Sequence, residues 1–213
     1  MQPNAVAGVL LDMDGTLVDS DAAVERAWRA FAEANALDPV HVLAIAHGVP
    51  SERTVRRLLP GLTDAEVAAF ATRQLELEYD DLSDVVATPG ARRLLTVLGQ
   101  LGLPWAVVTS ADSRLAAARL GKVGISPPVL ITTDDVAVGK PDPSGYLLAA
   151  DRLGIDPRQC LVVEDTDPGV AAGRAAGALV AALKNRPADI QLADLGQLAD
   201  LLNRPKPQVK GRE

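Results

Sequence analysis

The chain has 213 residues, 48% of them hydrophobic and 23% charged, with a formal net charge of −7 and a single cysteine. That length fits one domain with at most a modest insertion, and it buries enough surface to need no staple. The lone Cys160 rules out an internal disulfide and suits a reducing cytoplasm. An acidic balance without a basic stripe argues against nucleic acid, and the apolar runs are too short to span a bilayer.

No basic leader precedes the first apolar run, "VAGVLLD" (6–12), which reads as a strand buried on both faces. It runs into "LLDMDGTLVDS", where Asp12, Asp14 and Asp19 crowd into eight positions. From Asp19 to about Thr88 only helical periods follow. Val24, Trp28 and Phe31 fall at i, i+4 and i+7, and Thr63 to Glu66 forms a capping box ahead of Val67 and Phe70. Such a long helical stretch after a first strand reads as a lid over the carboxyl ends of the strands, where open α/β sheets bind ligands. A helix with the stripe Leu94, Leu95, Leu98 and Leu101 leads to a second strand, "WAVVTS" (105–110). "PVLITT" (128–133) is a shorter strand, and "PSGYLLAADRLG" (143–154) is a helix opened by proline and closed by glycine. Two more strands follow, "CLVVED" (160–165) and "ALVAAL" (178–183). Strands alternating with helices predict an α/β fold: a doubly wound, Rossmann-like parallel sheet over 1–18 and 89–213, with a helical cap inserted at 19–88. The tail "RPKPQVKGRE" (204–213) has no apolar period and reads as a frayed terminus.

Chemistry gathers at the predicted strand ends. Asp12 and Asp14, two apart, point to the same side, and Gly15 lets the chain turn while Thr16 adds a hydroxyl. A second acidic pair, Glu164 and Asp165, closes another strand. Carboxylates this close ionise cheaply only around a cation, and an all-oxygen set suits Mg²⁺. Calcium loops fail: the sixth and twelfth positions are Leu17 and Ala23 counted from Asp12, and Val170 and Ala176 counted from Asp165. Gly139-Lys140 is no P-loop, because Pro141 replaces Ser or Thr. Thr109 and Ser110 end a strand as hydroxyl donors, and Lys140 stands on a proline-flanked loop. Taken alone, Ser110 reads as a helix cap and Lys140 as a solvated charge, and helix capping is the lesser alternative for Asp14 and Asp165. Together they are the parts that phosphoryl transfer requires.

This order resembles the haloacid dehalogenase superfamily: "DMDGTLVDS", "VVTS", "GKPDP" and "VVEDTDPGVAAGRAAG" match its four motifs across residues 10 to 177. The resemblance implies Asp12 as nucleophile, becoming an aspartyl phosphate, and Asp14 as general acid, then base. It implies magnesium held by Asp12, the backbone carbonyl of Asp14 and Asp165, with Glu164 either a ligand or a support. Ser110 or Thr109 and Lys140 would grip the phosphate, and the insertion would be a type-one cap. Dehalogenases of the superfamily lack the second aspartate, so Asp14 implies phosphoryl transfer. Beta-phosphoglucomutases carry a histidine at the position of Val24, so a mutase is the alternative reading and a phosphatase the favoured one. The regions 46–67 and 103–120 resemble phosphatases of 2-deoxyglucose 6-phosphate, hexitol phosphates and glycerol 3-phosphate. Their cap loop reads Gly-x-Pro-Thr/Ser-Arg-Asp/Glu; here it is Gly48-Val49-Pro50-Ser51-Glu52-Arg53, with acid and base exchanged.

The expectation is thus a cytoplasmic, monomeric, Mg²⁺-dependent phosphatase of a small phosphorylated sugar or polyol, with no nucleic-acid or membrane partner. Glu52, Arg53 and His47 are candidate substrate contacts; His41 reads as structural, Cys160, Trp28 and Trp105 as core. Gly169, Gly173 and Gly177 are expected to permit close helix-on-sheet packing. A phosphoacceptor signalling domain shares several of these residue types but has neither the DxDGT order nor a helical insertion.

Overall fold

The computed structural model describes residues 5–46, 49–80 and 82–204. In chain order it contains β1 (Gly8–Leu11), β2 (Val18–Asp19), α1 (Asp21–Ala34), α2 (Pro39–Ala46), α3 (Ser51–Leu58), α4 (Asp64–Asp80), β3 (Val86–Ala87), α5 (Ala91–Leu101) and β4 (Trp105–Val108). Then come α6 (Ser113–Val123), β5 (Leu130–Ile131), α7 (Ser144–Leu153), β6 (Cys160–Glu164), α8 (Asp167–Ala175), β7 (Leu179–Ala182), β8 (Ile190–Gln191) and α9 (Leu195–Leu202). Six of the strands form one parallel sheet in the order β5-β4-β1-β6-β7-β8. Central β1 sits between β4 and β6, with Val9 opposite both Trp105 and Leu161.

Alternation along the central strands builds two cores. Val9, Leu11, Val107, Leu161 and Val163 join Leu94, Leu98, Leu115 and Leu198 of α5, α6 and α9 on one face. Leu10, Ala106, Val108 and Val162 join Tyr146, Ala149, Val170 and Ala172 of α7 and α8 on the other. With both faces covered, no polar position interrupts these strands. This is the doubly wound sheet that the apolar runs predict. A third apolar cluster belongs to the inserted helices: Trp28, Phe31, Val42, Val55, Val67 and Ala71, with Trp28 edge-on to Phe31 at 5.3 Å between ring centroids. The expected capping box is present, with Thr63 N donating to Glu66 Oε2 at 2.8 Å.

Several details depart from expectation. The chain leaves β1 and returns from the helices through an antiparallel ribbon, Val18 against Ala87 and Asp19 against Val86, inside the stretch read as purely helical. Strand β8 was not signalled either. A two-residue strand has no period to detect. Leu101, the last residue of α5, is 44% exposed, and Val97 is buried instead. His41 lies exposed on α2 and is not structural. Trp105 is only partly buried, whereas Trp28 and Cys160 are core. Gly177 adopts φ +82 and serves as a turn, so close helix packing belongs to Gly169 and Gly173 alone. His47 and residues 205–213 of the tail fall outside the described residues.

Gly90 opens α5 with φ +83, and a Cβ there would lie 2.0 Å from the backbone nitrogen of Gly196, in α9. Neither strain relieves the other, since the obstruction is backbone. Gly90→Ala should cost about 3 kcal/mol or more, lowering Tm by roughly 6 to 12 °C. An unchanged melt would show that α9 gives way freely.

Candidate active site

The carboxyl edge of the sheet collects the predicted residues. Asp12 follows β1 and its amide continues the ladder to Val163 O at 3.0 Å, while Thr109 N reaches Ile131 O at 2.9 Å beyond β4. Glu164 is the last residue of β6, and Asp165 follows it. Gly15, at φ +78, folds the chain back so that Thr16 and Leu17 both close onto Met13 O. A Cβ on Gly15 would stand 2.1 Å from Asp165 Oδ2, so the turn also lets the two acidic strand ends approach. The hydroxyl of Thr16, expected as a donor, is buried with no partner.

Lys140 is not a solvated charge. It is 6% exposed, and its Nζ donates to Asp12 Oδ1, to Glu164 Oε1 at 2.6 Å and to Val108 O at 3.0 Å. Burial acts to lower the ammonium's pKa, but the Asp12 and Glu164 carboxylates outweigh it and hold the group charged. Burial raises Asp12 well above the usual carboxylate range, against the pull of Lys140 and with Glu164 and Asp165 adding to the rise.

Glu164 is saturated. Its Oε1 accepts from Lys140 and from Tyr146 Oη at 2.7 Å; its Oε2 accepts from Asp165 N at 3.1 Å, Thr166 N at 3.3 Å and Thr166 Oγ1 at 3.0 Å. Asp165 is the opposite case: Lys184 Nζ takes Oδ2 at 3.1 Å, and buried Oδ1 has no partner. Ligand atoms of Asp12, Glu164 and Asp165 lie within 4.8 Å of one another. An orphaned carboxylate oxygen among all-oxygen donors suits a hard divalent cation such as Mg²⁺, and the residues present therefore fit that ion. The helix caps lie elsewhere, on Asp112 for α6 and Thr166 for α8, so neither Ser110 nor Asp165 has that role.

Asp14 faces the cavity from the other side. Its Oδ1 accepts from Ser20 Oγ at 2.6 Å and pairs with Arg119 Nη1 at 2.9 Å. The cavity, about 170 Å³, also touches Thr109, Ser110, Val24, Trp28 and Ser51. Glu52 and Arg53, expected near substrate, are exposed and line an adjoining cleft, where Arg53 Nη1 donates to Lys140 O at 3.2 Å. Ser51 is the residue of that loop that meets the cavity. Arg119, Glu78, Lys184 and Tyr146 were not anticipated. Each carries its meaning in a partner distant in sequence, as Arg119 and Glu78 are 41 positions apart. No local pattern marks such pairs.

A family model for haloacid dehalogenase-like hydrolases matches residues 6–177. Hexitol phosphatase A of Escherichia coli (strain K12) is 45% identical over 183 residues, 85% of this chain and 84% of that protein. 2-Deoxyglucose-6-phosphate phosphatase 1 of Saccharomyces cerevisiae is 33% identical over 91% of this chain and 90% of its own. A crystal structure of beta-phosphoglucomutase from Clostridium difficile superposes with TM-score 0.81 over 91% of this chain and 93% of that one. At 19% identity, that likeness shows the fold alone.

Proposed function

The chain belongs to the haloacid dehalogenase-like hydrolases, and on that premise we propose a magnesium-dependent phosphatase of small phosphorylated sugars or polyols. The observation that carries this reading is the pairing of a buried, lysine-held Asp12 with the open Oδ1 of Asp165, opposite an Asp14 that faces the same cavity. Asp12 attacks phosphorus, the ester P–O bond breaks, and Asp14 gives its proton to the departing alkoxide. Asp14 then takes a proton from water, which attacks the aspartyl phosphate at phosphorus. Phosphate leaves and the Asp12 carboxylate returns. Lys140 neutralises Asp12 beforehand, and Thr109 and Ser110 supply donors to phosphoryl oxygens. Asp12, Asp165 and the Asp14 carbonyl would hold Mg²⁺, while Glu164, its oxygens filled, would aim Lys140. When bound, the ion offsets negative charge on the carboxylates and the transferred phosphoryl group.

Substrate class follows the relatives, a hexitol phosphatase and a 2-deoxyglucose-6-phosphate phosphatase. Val24, Trp28 and Ser51 line the cavity where the organic part of a substrate would lie, which supports reading residues 19–88 as the cap of a core spanning 1–18 and 89–213. The same reading places the enzyme in the cytoplasm as a monomer free of nucleic acid and membrane. Its −7 charge argues against a nucleic-acid partner, and no helix of the described residues is long and apolar enough to cross a membrane. Phosphate release from a hexitol phosphate, 2-deoxyglucose 6-phosphate, glycerol 1-phosphate, FMN and a phosphopeptide, with and without Mg²⁺, tests it. Turnover confined to the first three is expected. A preference for FMN or the peptide would overturn the substrate class, and isomerised sugar phosphate in place of free phosphate would favour the mutase.

A further inference from the structure

A buried polar chain runs from the cavity through the inserted helices to Asp14. Ser51 Oγ donates to Gln74 Oε1 at 2.6 Å, Gln74 Nε2 to Glu78 Oε1 at 2.5 Å, and Arg119 Nη2 to Glu78 Oε2 at 2.6 Å. Arg119 Nη1 closes the chain on Asp14 Oδ1 at 2.9 Å. Gln74, Glu78 and Arg119 are 0%, 6% and 2% exposed, so water does not share their bonds. Glu78 rides on α4 of the insertion and Arg119 on α6 of the core. The third guanidinium nitrogen, Nε, is buried without a partner, leaving Asp14 and Glu78 as the anchors that set its aim.

We infer that Arg119 and Glu78 are positioning residues: Glu78 fixes the Arg119 fork, and the fork fixes the Asp14 carboxylate for proton transfer. Docking of α4 against α6 therefore completes the acid–base group, and only a capped site has it aimed. A guanidinium suits this task because its planar fork holds two carboxylates in fixed relative orientation, which an ammonium does not. A misplacement of about 1 Å in a reacting group costs on the order of 10²-fold in rate.

This inference rests on Asp14 being the acid and base, and p-nitrophenyl phosphate separates its two duties. The phenolate leaves without a proton, so the first turnover needs no acid, but hydrolysis of the aspartyl phosphate still needs the base. Glu78→Gln keeps the shape and loses the charge. It should retain a rapid burst of nitrophenol, near one per site, followed by steady turnover slowed about 10²-fold. On a hexitol phosphate the burst itself should vanish, with kcat falling more than KM. Arg119→Lys should behave alike and carries the test should Glu78→Gln not fold, as read by circular dichroism. Tyr79→Phe is the structural comparator. It removes the neighbouring α4–α6 bond to Asp112 without touching Asp14, and the ratio of the two phases should stay as in the native enzyme. Burst and steady rates falling together, or neither changing, overturns the positioning role. Asp14→Asn serves as reference: if it leaves both phases intact, the assignment of Asp14 fails rather than the linkage to it.

Discussion

Asp12→Asn should abolish turnover, a loss of about 10⁴-fold or more, while leaving the fold as stable as before or more so. The amide oxygen still accepts from Lys140, so the side chain keeps its place, but it cannot attack phosphorus. Stability should not follow activity downwards. Asp12 shares a buried site with Glu164 and Asp165, and burial raises its pKa well above the usual range. A raised carboxyl means that ionising it in the folded state costs free energy at neutral pH. Asparagine removes that cost, and Lys140 retains Glu164 as its partner at 2.6 Å. Mass spectrometry after mixing with substrate should find no phosphorylated enzyme, and thermal unfolding without divalent ions should give an equal or higher Tm. A phosphorylated Asp12→Asn protein would place the nucleophile elsewhere. A collapsed Tm would mean that the lost activity reports unfolding.

The core of this site was legible because its parts lie at strand ends. A strand covered on both faces is a continuous apolar run, so the first polar residues after it are conspicuous. Asp12, Thr109 and Asp165 all stand there, at the end of β1, β4 and β6. Lys140 needed the company of the others, since a lysine between Gly139 and Pro141 on a loop reads as a surface charge until its acidic partners are known. The supports were hidden for the converse reason. Glu78 lies in "LELEYD", where alternating acids look like a solvated helix face, and Arg119 in "AAARL" looks like the polar side of an amphipathic helix. Their burial depends on partners that local sequence does not show: Arg119 pairs with Glu78 and Asp14, and Glu78 with Arg119 and Gln74. Gly169 falls between these cases. Its spacing marked close packing, but the reason is Glu164, whose carboxylate carbon would be 1.8 Å from a Cβ there. A glycine in α8 thus leaves room for the acid that holds Lys140.

Removing divalent cations should stop turnover and lower stability, and Mg²⁺ should restore both at pH 7 far better than at pH 5. Three carboxylates share the cluster, and the cations built into it are Lys140 and the half-exposed Lys184. Asp165 is raised from 3.8 to about 6, chiefly by burial and then by Glu164. For a carboxyl with a raised folded pKa, the protonated folded form is favoured. That contribution is complete below the unfolded value of 3.8 and is lost as pH rises through about 6. The cation-free protein should therefore weaken across that interval as the cluster ionises. A divalent ion competes with the same protons, so its affinity rises over the same range. At about 100 times its dissociation constant, Mg²⁺ would contribute roughly 2.7 kcal/mol, a Tm gain of roughly 5 to 10 °C for a chain of this length. The gain should shrink at pH 5 and in Asp165→Asn, which loses the orphaned anionic oxygen. Ca²⁺ should raise Tm without restoring turnover, because its larger and looser shell tolerates poor placement of ligands that the reaction does not. Undiminished activity in excess chelator, together with a Tm indifferent to Mg²⁺ at pH 7, would remove the metal from the mechanism and leave the open Oδ1 of Asp165 to be explained by bound water.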